Sequence, residues 1–131
     1  MTSEDREVRV LLVDDQAPFL AAARGLVSRV PGFTVVAEGS GGAEAVQLAA
    51  ATRPDLVLMD IRMPDVDGIA ACRQITAADT APVVVLLSTY DRGDLPDEVS
   101  TSGAAAYLHK EELTPGALVG LWAEHGRRLS T

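Results

Sequence analysis

The sequence predicts an α/β fold, a doubly wound parallel sheet of five strands, from three observations. Short apolar runs typical of buried strands recur along the chain, at residues 8–13, 33–37, 56–59, 82–87 and 104–108. Alanine- and leucine-rich segments between them predict helices at residues 18–30, 42–52, 69–78 and 115–126, with a weaker one near 95–102. The strands and helices alternate with short connections, and right-handed crossovers of this kind place helices on both faces of a parallel sheet.

The individual segments carry local signals for these elements. The run 56–59 is apolar at every position, which is typical of a strand buried on both faces. In the last helix, Thr114 can cap the first turn and Pro115 suits its first position. The segment 95–102 is a poor helix, because Pro96 is tolerated only in the first turn and the hydroxyl residues that follow compete for backbone groups.

Length and composition predict one folded domain. The chain has 131 residues, of which 47% are hydrophobic, enough to close a single core. We expect a flexible N-terminus at residues 1–7, the domain at residues 8–126, and a tail or the start of a linker to a further domain at residues 127–131. Cys72 shares a helical face with Ile69 and Ile75, so we expect a buried thiol.

Charge and hydropathy exclude several classes of function. The net charge is −8, and the lysine and arginine residues are scattered, so direct contact of this chain with nucleic acid is not expected. The sequence contains neither a signal peptide nor an apolar stretch long enough to cross a membrane. We therefore expect a cytoplasmic protein without membrane contact. His109 and His125 have no carboxylate or cysteine partners at metal-ligand spacing and are interpreted as ordinary residues.

Three carboxylates follow two of the predicted strands. Asp60 directly follows the run 56–59, and Asp14 and Asp15 directly follow the run 8–13. The carboxyl ends of strands form the edge at which open α/β sheets bind ligands. If the two strands are neighbours, the three carboxylates converge and cannot all stay ionised without a cation. A hard divalent ion with oxygen ligands, most simply Mg²⁺, is the predicted cofactor.

The order of these motifs resembles the receiver domain of two-component response regulators. The matching residues are Asp14-Asp15, Asp60 followed by Met63-Pro64 and Asp67-Gly68, Ser88-Thr89, and Lys110. The resemblance implies a flavodoxin-like sheet with strand order 2-1-3-4-5 and a site between the first and third strands. The sequence Tyr-Leu-His-Lys-Glu at residues 107–111 is similar to regulators of the NarL/FixJ type, which implies that subfamily.

The same resemblance implies the role of each acidic residue. Asp60 matches the phosphoacceptor, whose carboxylate attacks a phosphoryl group delivered by a sensor histidine kinase. Asp15 should bind Mg²⁺ directly and Asp14 through water, while Asp60 and the backbone carbonyl of Arg62 complete the metal ligands.

Four further positions, and the side chain of Arg62, match family roles beyond metal binding. Lys110 should neutralise charge on the phosphoryl oxygens, and Ser88 should hydrogen-bond the transferred group. Tyr107 matches the aromatic residue that turns inward when the Ser88 hydroxyl moves. Arg62 and Tyr90 flank the expected phosphoryl position, and bulky side chains there should slow hydrolysis of the acyl phosphate.

The predicted function is a phosphorylation-dependent switch. The chain would catalyse only its own Mg²⁺-dependent phosphorylation and dephosphorylation, and would regulate transcription through a DNA-binding domain attached in the full-length protein. Output through a homodimer or through release of that domain would use the segment 95–102, the strand 104–108 and the last helix. Trp122, on the last helix, is expected to pack in the core.

Three alternatives stay open at this point. The chain could be a stand-alone receiver acting through protein contacts, or a pseudo-receiver that only binds partners. It could also be a Mg²⁺-dependent phosphohydrolase, although such an enzyme needs a general acid or base near its nucleophile and Arg62 offers none.

Overall fold

The computed structural model describes residues 7–79, 81–89 and 96–126, and it contains one parallel sheet of five strands in the order β2-β1-β3-β4-β5. The strands are β1 (Val8–Val13), β2 (Phe33–Gly39), β3 (Leu56–Asp60), β4 (Val83–Ser88) and β5 (Ala106–His109). The helices are α1 (Ala17–Ser28), α2 (Gly42–Thr52), α3 (Gly68–Thr76) and α4 (Pro115–His125). The predicted strand order and fold class are therefore confirmed.

The predicted boundaries need small corrections, and the fourth helix needs a larger one. β5 begins at Ala106, whereas residue 104 was expected, and the described part of the predicted helix 95–102, which starts at residue 96, forms a 3-10 helix, Asp97–Thr101. Pro96 precedes this turn with extended backbone angles, which a proline favours. The hydroxyls of Ser100 and Thr101 bond the carbonyls three residues before them, as expected from their competition with regular helical bonding.

Two apolar layers cover the two faces of the sheet. Alternate residues of β1, β3 and β4 point to opposite faces, so each strand contributes to both layers. The first layer packs against α2 and α3 and includes Cys72, which is fully buried as predicted. The second packs against α1 and α4, where Leu118 is fully buried and Trp122 is partly buried against the same cluster. Trp122 thus contributes to the core, in line with the sequence prediction.

The loop between β3 and α3 is held by backbone contacts that leave no room for larger side chains. The Gly68 amide donates to the Ile61 carbonyl at 2.7 Å, and a Cβ at position 68 would collide with the Asp60 carbonyl oxygen. Asp67 caps α3 by accepting from the Ala70 amide at 2.8 Å. This close packing fixes the end of β3, and with it the backbone of Asp60.

Asp65 joins the same loop to the neighbouring helix. Its carboxylate accepts hydrogen bonds from the amides of Gly42 at 3.0 Å and Ala43 at 3.1 Å, at the start of α2. Backbone hydrogen bonds, first that of Val66 and then those of Ala43 and Gly42, lower the pKa of Asp65 from its ordinary value. Asp65 therefore acts as a helix cap supplied from another loop, a role that the sequence did not indicate.

Candidate functional site

The three predicted carboxylates meet at one edge of the sheet. β1 and β3 are neighbours with Val13 beside Met59, so Asp14 and Asp60 emerge at the carboxyl ends of adjacent strands. One oxygen each from Asp14, Asp15 and Asp60 can be chosen so that all three lie within 4.8 Å of one another. Asp14 and Asp60 are buried, while Asp15 is exposed. This is an oxygen-rich cluster that suits a hard divalent cation.

Lys110 provides a positive charge inside this cluster. It follows β5 directly, and its Nζ lies 2.6 Å from Asp14 Oδ2 and 3.6 Å from Asp60 Oδ2. The other oxygen of Asp14 accepts the Gln16 amide at 2.8 Å, just before α1. Asp14 is therefore held between a helix start, which donates to Oδ1, and the ammonium group, which forms an ion pair but no hydrogen bond with the buried Oδ2.

Asp60 is an unusually weak acid for an aspartate. The pKa of Asp60 is raised from 3.8 to about 6, mainly by burial and to a smaller extent by the charges of Asp14 and Asp15. Lys110 and a backbone hydrogen bond at Arg62 oppose this effect and lower the pKa of Asp60 without cancelling the rise. A cation bound beside these carboxylates would favour the ionised form, which is the nucleophilic one.

A cavity of about 240 Å³ opens beside the cluster. Its lining consists of Asp15, Gln16, Asp60, Arg62, Ser88, Thr89 and Lys110. Ser88 is buried at the end of β4, next to the strand that ends in Asp60. Sequence analysis singled out six of these seven residues, all except Gln16, and the structure brings the six together.

Two other predicted residues lie elsewhere or outside the described part of the chain. Tyr107 lies on β5, pairs with Leu86 of β4, and packs, half-buried, against the first apolar layer. Tyr90 falls outside the described residues.

His109, which the sequence analysis interpreted as an ordinary residue, supports the turn beside the site. Its Nδ1 accepts the Glu111 amide at 3.1 Å, and its Nε2 lies 3.1 Å from the Thr89 carbonyl oxygen. Its own amide donates to Glu112 Oε1 at 2.9 Å, which completes a reciprocal cap. These bonds fix the turn that carries Lys110 and tie it to the end of β4. The spacing of His109 and Glu112 was the available signal, since an acidic residue three positions after a cap is typical of this motif.

Comparison with known proteins places this geometry in a family. Residues 10–120 match the family described as the response regulator receiver domain. The transcriptional regulatory protein PdtaR of Mycobacterium tuberculosis is 40% identical over 102 residues, which cover 78% of this chain and 49% of that protein. The receiver domain of the putative response regulator NarL from the same organism superposes with a TM-score of 0.84 at 29% identity, covering 93% of this chain and 98% of that one.

A third relative carries an enzyme name. The protein-glutamate methylesterase/protein-glutamine glutaminase of Alkalilimnicola ehrlichii is 37% identical over 105 residues, which cover 79% of this chain and 27% of that protein. The chain thus spans about half or less of the length of these two curated relatives. Family members occur in regulators and in at least one enzyme. Within the described residues, none of the helices is long and apolar enough to span a bilayer.

Proposed function

Because this chain belongs to the response regulator receiver domain family, we propose that Asp60 accepts a phosphoryl group from a sensor histidine kinase. The transfer would depend on Mg²⁺. The observation that carries the proposal is the convergence of Asp14, Asp15, Asp60 and Lys110 at one cavity. Receiver domains work with sensor kinases and bind Mg²⁺ through an acidic pocket, and this chain has the corresponding residues.

The acidic cluster fits Mg²⁺ by the chemistry of its donors. Three carboxylates with oxygens within 4.8 Å of one another match the preference of this ion for oxygen ligands. Asp15 and Asp60 would hold it directly, Asp14 through water, and the Arg62 carbonyl would complete the protein ligands. When bound, the ion neutralises charge on the carboxylates and on the incoming phosphoryl group.

The transfer itself is a displacement at phosphorus. A carboxylate oxygen of Asp60 forms the new P–O bond while the P–N bond to the kinase histidine breaks, and the histidine nitrogen keeps the electron pair. Lys110 would neutralise charge on the phosphoryl oxygens, and the Ser88 hydroxyl would donate to one of them. Hydrolysis later breaks the P–O bond with water, and Arg62 and Tyr90 would limit how easily water approaches.

The output is proposed to be a change in a protein-binding surface. When Ser88 moves toward the phosphoryl group, Tyr107 would turn inward and alter the surface formed by residues 97–101, β5 and α4. That surface would mediate homodimerisation or release an attached output domain. Regulation of transcription would then require a DNA-binding domain elsewhere in the full-length protein, since this chain is acidic with a net charge of −8.

The test is incubation with acetyl phosphate over a Mg²⁺ titration, followed by intact mass measurement. We expect one phosphoryl adduct that requires Mg²⁺, is lost in Asp60→Asn, and is retained in the control Asp97→Asn on the exposed 3-10 turn. Rapid, repeated turnover of the donor with no lasting adduct would favour a phosphohydrolase and overturn the proposal. Absence of both an adduct and donor turnover at saturating Mg²⁺ would favour a pseudo-receiver and also overturn it.

A further inference from the structure

Phe19 lies directly against the charged group of the site. It is the third residue of α1, and its ring packs, partly buried, against the second apolar layer. The Lys110 Nζ lies above the face of this ring, 4.5 Å from its centroid. A cation within about 6 Å of an aromatic centroid is attracted by the negative face of the ring.

The surroundings of Lys110 make this contact significant. The Lys110 side chain is only 9% exposed, so solvent does little to weaken its interactions. Its Nζ has carboxylates at 2.6 Å, from Asp14, and at 3.6 Å, from Asp60. The ring of Phe19 provides a third contact, which attracts the charge without using a conventional hydrogen-bond acceptor.

The position of Phe19 is coupled to the same site through the backbone. The Gln16 amide donates to Asp14 Oδ1, while Lys110 contacts Asp14 Oδ2. Asp14 therefore fixes both the start of α1 and the ammonium group. Phe19 lies one turn into that helix, so the ring and the charge are held by a common residue.

We infer that Phe19 is a positioning residue that holds the Lys110 ammonium where it can reach a phosphoryl group on Asp60. This inference rests on the proposed function. A lysine side chain is long and flexible, and fixing it has an entropic cost. Without the ring, Lys110 keeps its close contact with Asp14 but loses the attraction of the aromatic face. The ammonium group would then stay with Asp14 and reach the phosphoryl group less readily. An aliphatic residue at position 19 would fill the space and give no attraction to the charge.

The experiment uses the fact that Lys110 is the only lysine in the sequence. Uniform lysine labelling therefore gives NMR signals from this side chain alone. The ε-methylene protons are shifted upfield when an aromatic face lies next to them. The variants are Phe19→Leu, which removes the ring, and Phe19→Tyr, which keeps it. The matched control is Phe33→Leu, because Phe33 is the other phenylalanine and packs against the same layer.

We expect an upfield ε-methylene signal in the wild type that persists in Phe19→Tyr and Phe33→Leu and is lost in Phe19→Leu. The rate of phosphoryl uptake from acetyl phosphate should fall about 5- to 30-fold in Phe19→Leu, as expected for loss of one buried cation–π contact. Phe19→Tyr and Phe33→Leu should keep the wild-type rate.

Several results would overturn the inference. An unshifted ε-methylene signal in the wild type would by itself overturn the inference. The inference can therefore be tested even if Phe19→Leu does not fold. Equal rates for Phe19→Leu and wild type, or equally slow rates for Phe19→Tyr and Phe19→Leu, would show that the ring does not act on Lys110. A wild type that takes up no phosphoryl group would instead refute the proposed function, and the NMR shift would still decide whether Phe19 holds Lys110.

Discussion

Lys110 Nζ lies 2.6 Å from Asp14 Oδ2 and forms with it a buried ion pair at the edge of the sheet. Asp14 is 1% exposed, so its charge depends on this partner and on the Gln16 amide rather than on water. The pair links the end of β1 to the turn after β5, two segments far apart in the sequence. In the proposed transfer, the same ammonium group must also neutralise charge on the phosphoryl group bound to Asp60.

Loss of Lys110 should therefore destabilise the fold as well as impair phosphorylation. We expect Lys110→Met to lower the free energy of unfolding by about 3 kcal/mol in Mg²⁺-free buffer, because the buried Asp14 carboxylate loses its ion-pair partner. Urea unfolding measures this change. The double variant Asp14→Asn with Lys110→Met should recover most of the loss, and a double variant as unstable as the single one would contradict the explanation.

The raised pKa of Asp60 predicts a pH-dependent stability. Between pH 3.8 and about 6, the folded state binds the Asp60 proton while the unfolded state releases it. The free energy of unfolding should therefore fall as pH rises through this window, by up to about 3 kcal/mol in total. Asp60→Asn lacks this titration, so without Mg²⁺ it should be increasingly more stable than the wild type as pH rises from 4 to 7.

Chemical denaturation at several pH values measures the difference between the two proteins. Addition of Mg²⁺ serves as the control, because an ion bound to the carboxylates should stabilise the wild type more than Asp60→Asn and narrow the gap. Parallel stability curves for the two proteins from pH 4 to 7 would show that burial does not penalise the Asp60 charge.

Gly68 is expected to be essential for the position of Asp60. In Gly68→Ala the new Cβ would meet the Asp60 carbonyl oxygen and the Ile61 Cα, so the loop must shift. We expect a loss of about 2 kcal/mol in the free energy of unfolding, typical of overpacking, together with slower phosphoryl uptake.

Gly120→Ala on α4 is the matched control, because a Cβ there meets nothing within 4 Å. This variant should be more stable than the wild type by about 0.5–1 kcal/mol, from better helix propensity. Thermal unfolding and phosphorylation by acetyl phosphate test both variants. If Gly68→Ala matched Gly120→Ala in both measurements, close packing at the loop would not be what positions Asp60.

Arg62 should control the lifetime of the phosphorylated state. Its exposed side chain lines the cavity beside Asp60 and can shield the approach of water. Arg62→Ala should shorten the lifetime of the adduct, and the effect should grow when Tyr90→Ala is added. Decay of the phosphoryl adduct, followed by intact mass after removal of the donor, measures it. Arg24→Ala on α1, which removes an ion pair with Glu38 of β2, is the control that should leave the lifetime unchanged.

Much of the fold could be predicted because it depends on local patterns. Apolar runs and short connections specified the alternation of strands and helices, and Thr114 and Pro115 marked the start of α4 correctly. Pro96 and the hydroxyl residues after it predicted a weak fourth helix, although not its 3-10 form. The strand order came from the resemblance of the motifs to a family, because hydrophobic periodicity alone does not specify which strands are neighbours.

The sequence by itself determined which residues could form the site, since Asp14, Asp15 and Asp60 follow predicted strands and the resemblance to a family added Ser88 and Lys110. Only the tertiary structure decided how they interact. The contacts of Asp65 with α2, of His109 with the end of β4, and of Phe19 with Lys110 join residues 20 or more positions apart. Local propensity carries no information about such contacts, because packing of the whole sheet and its helices sets the distances between those side chains.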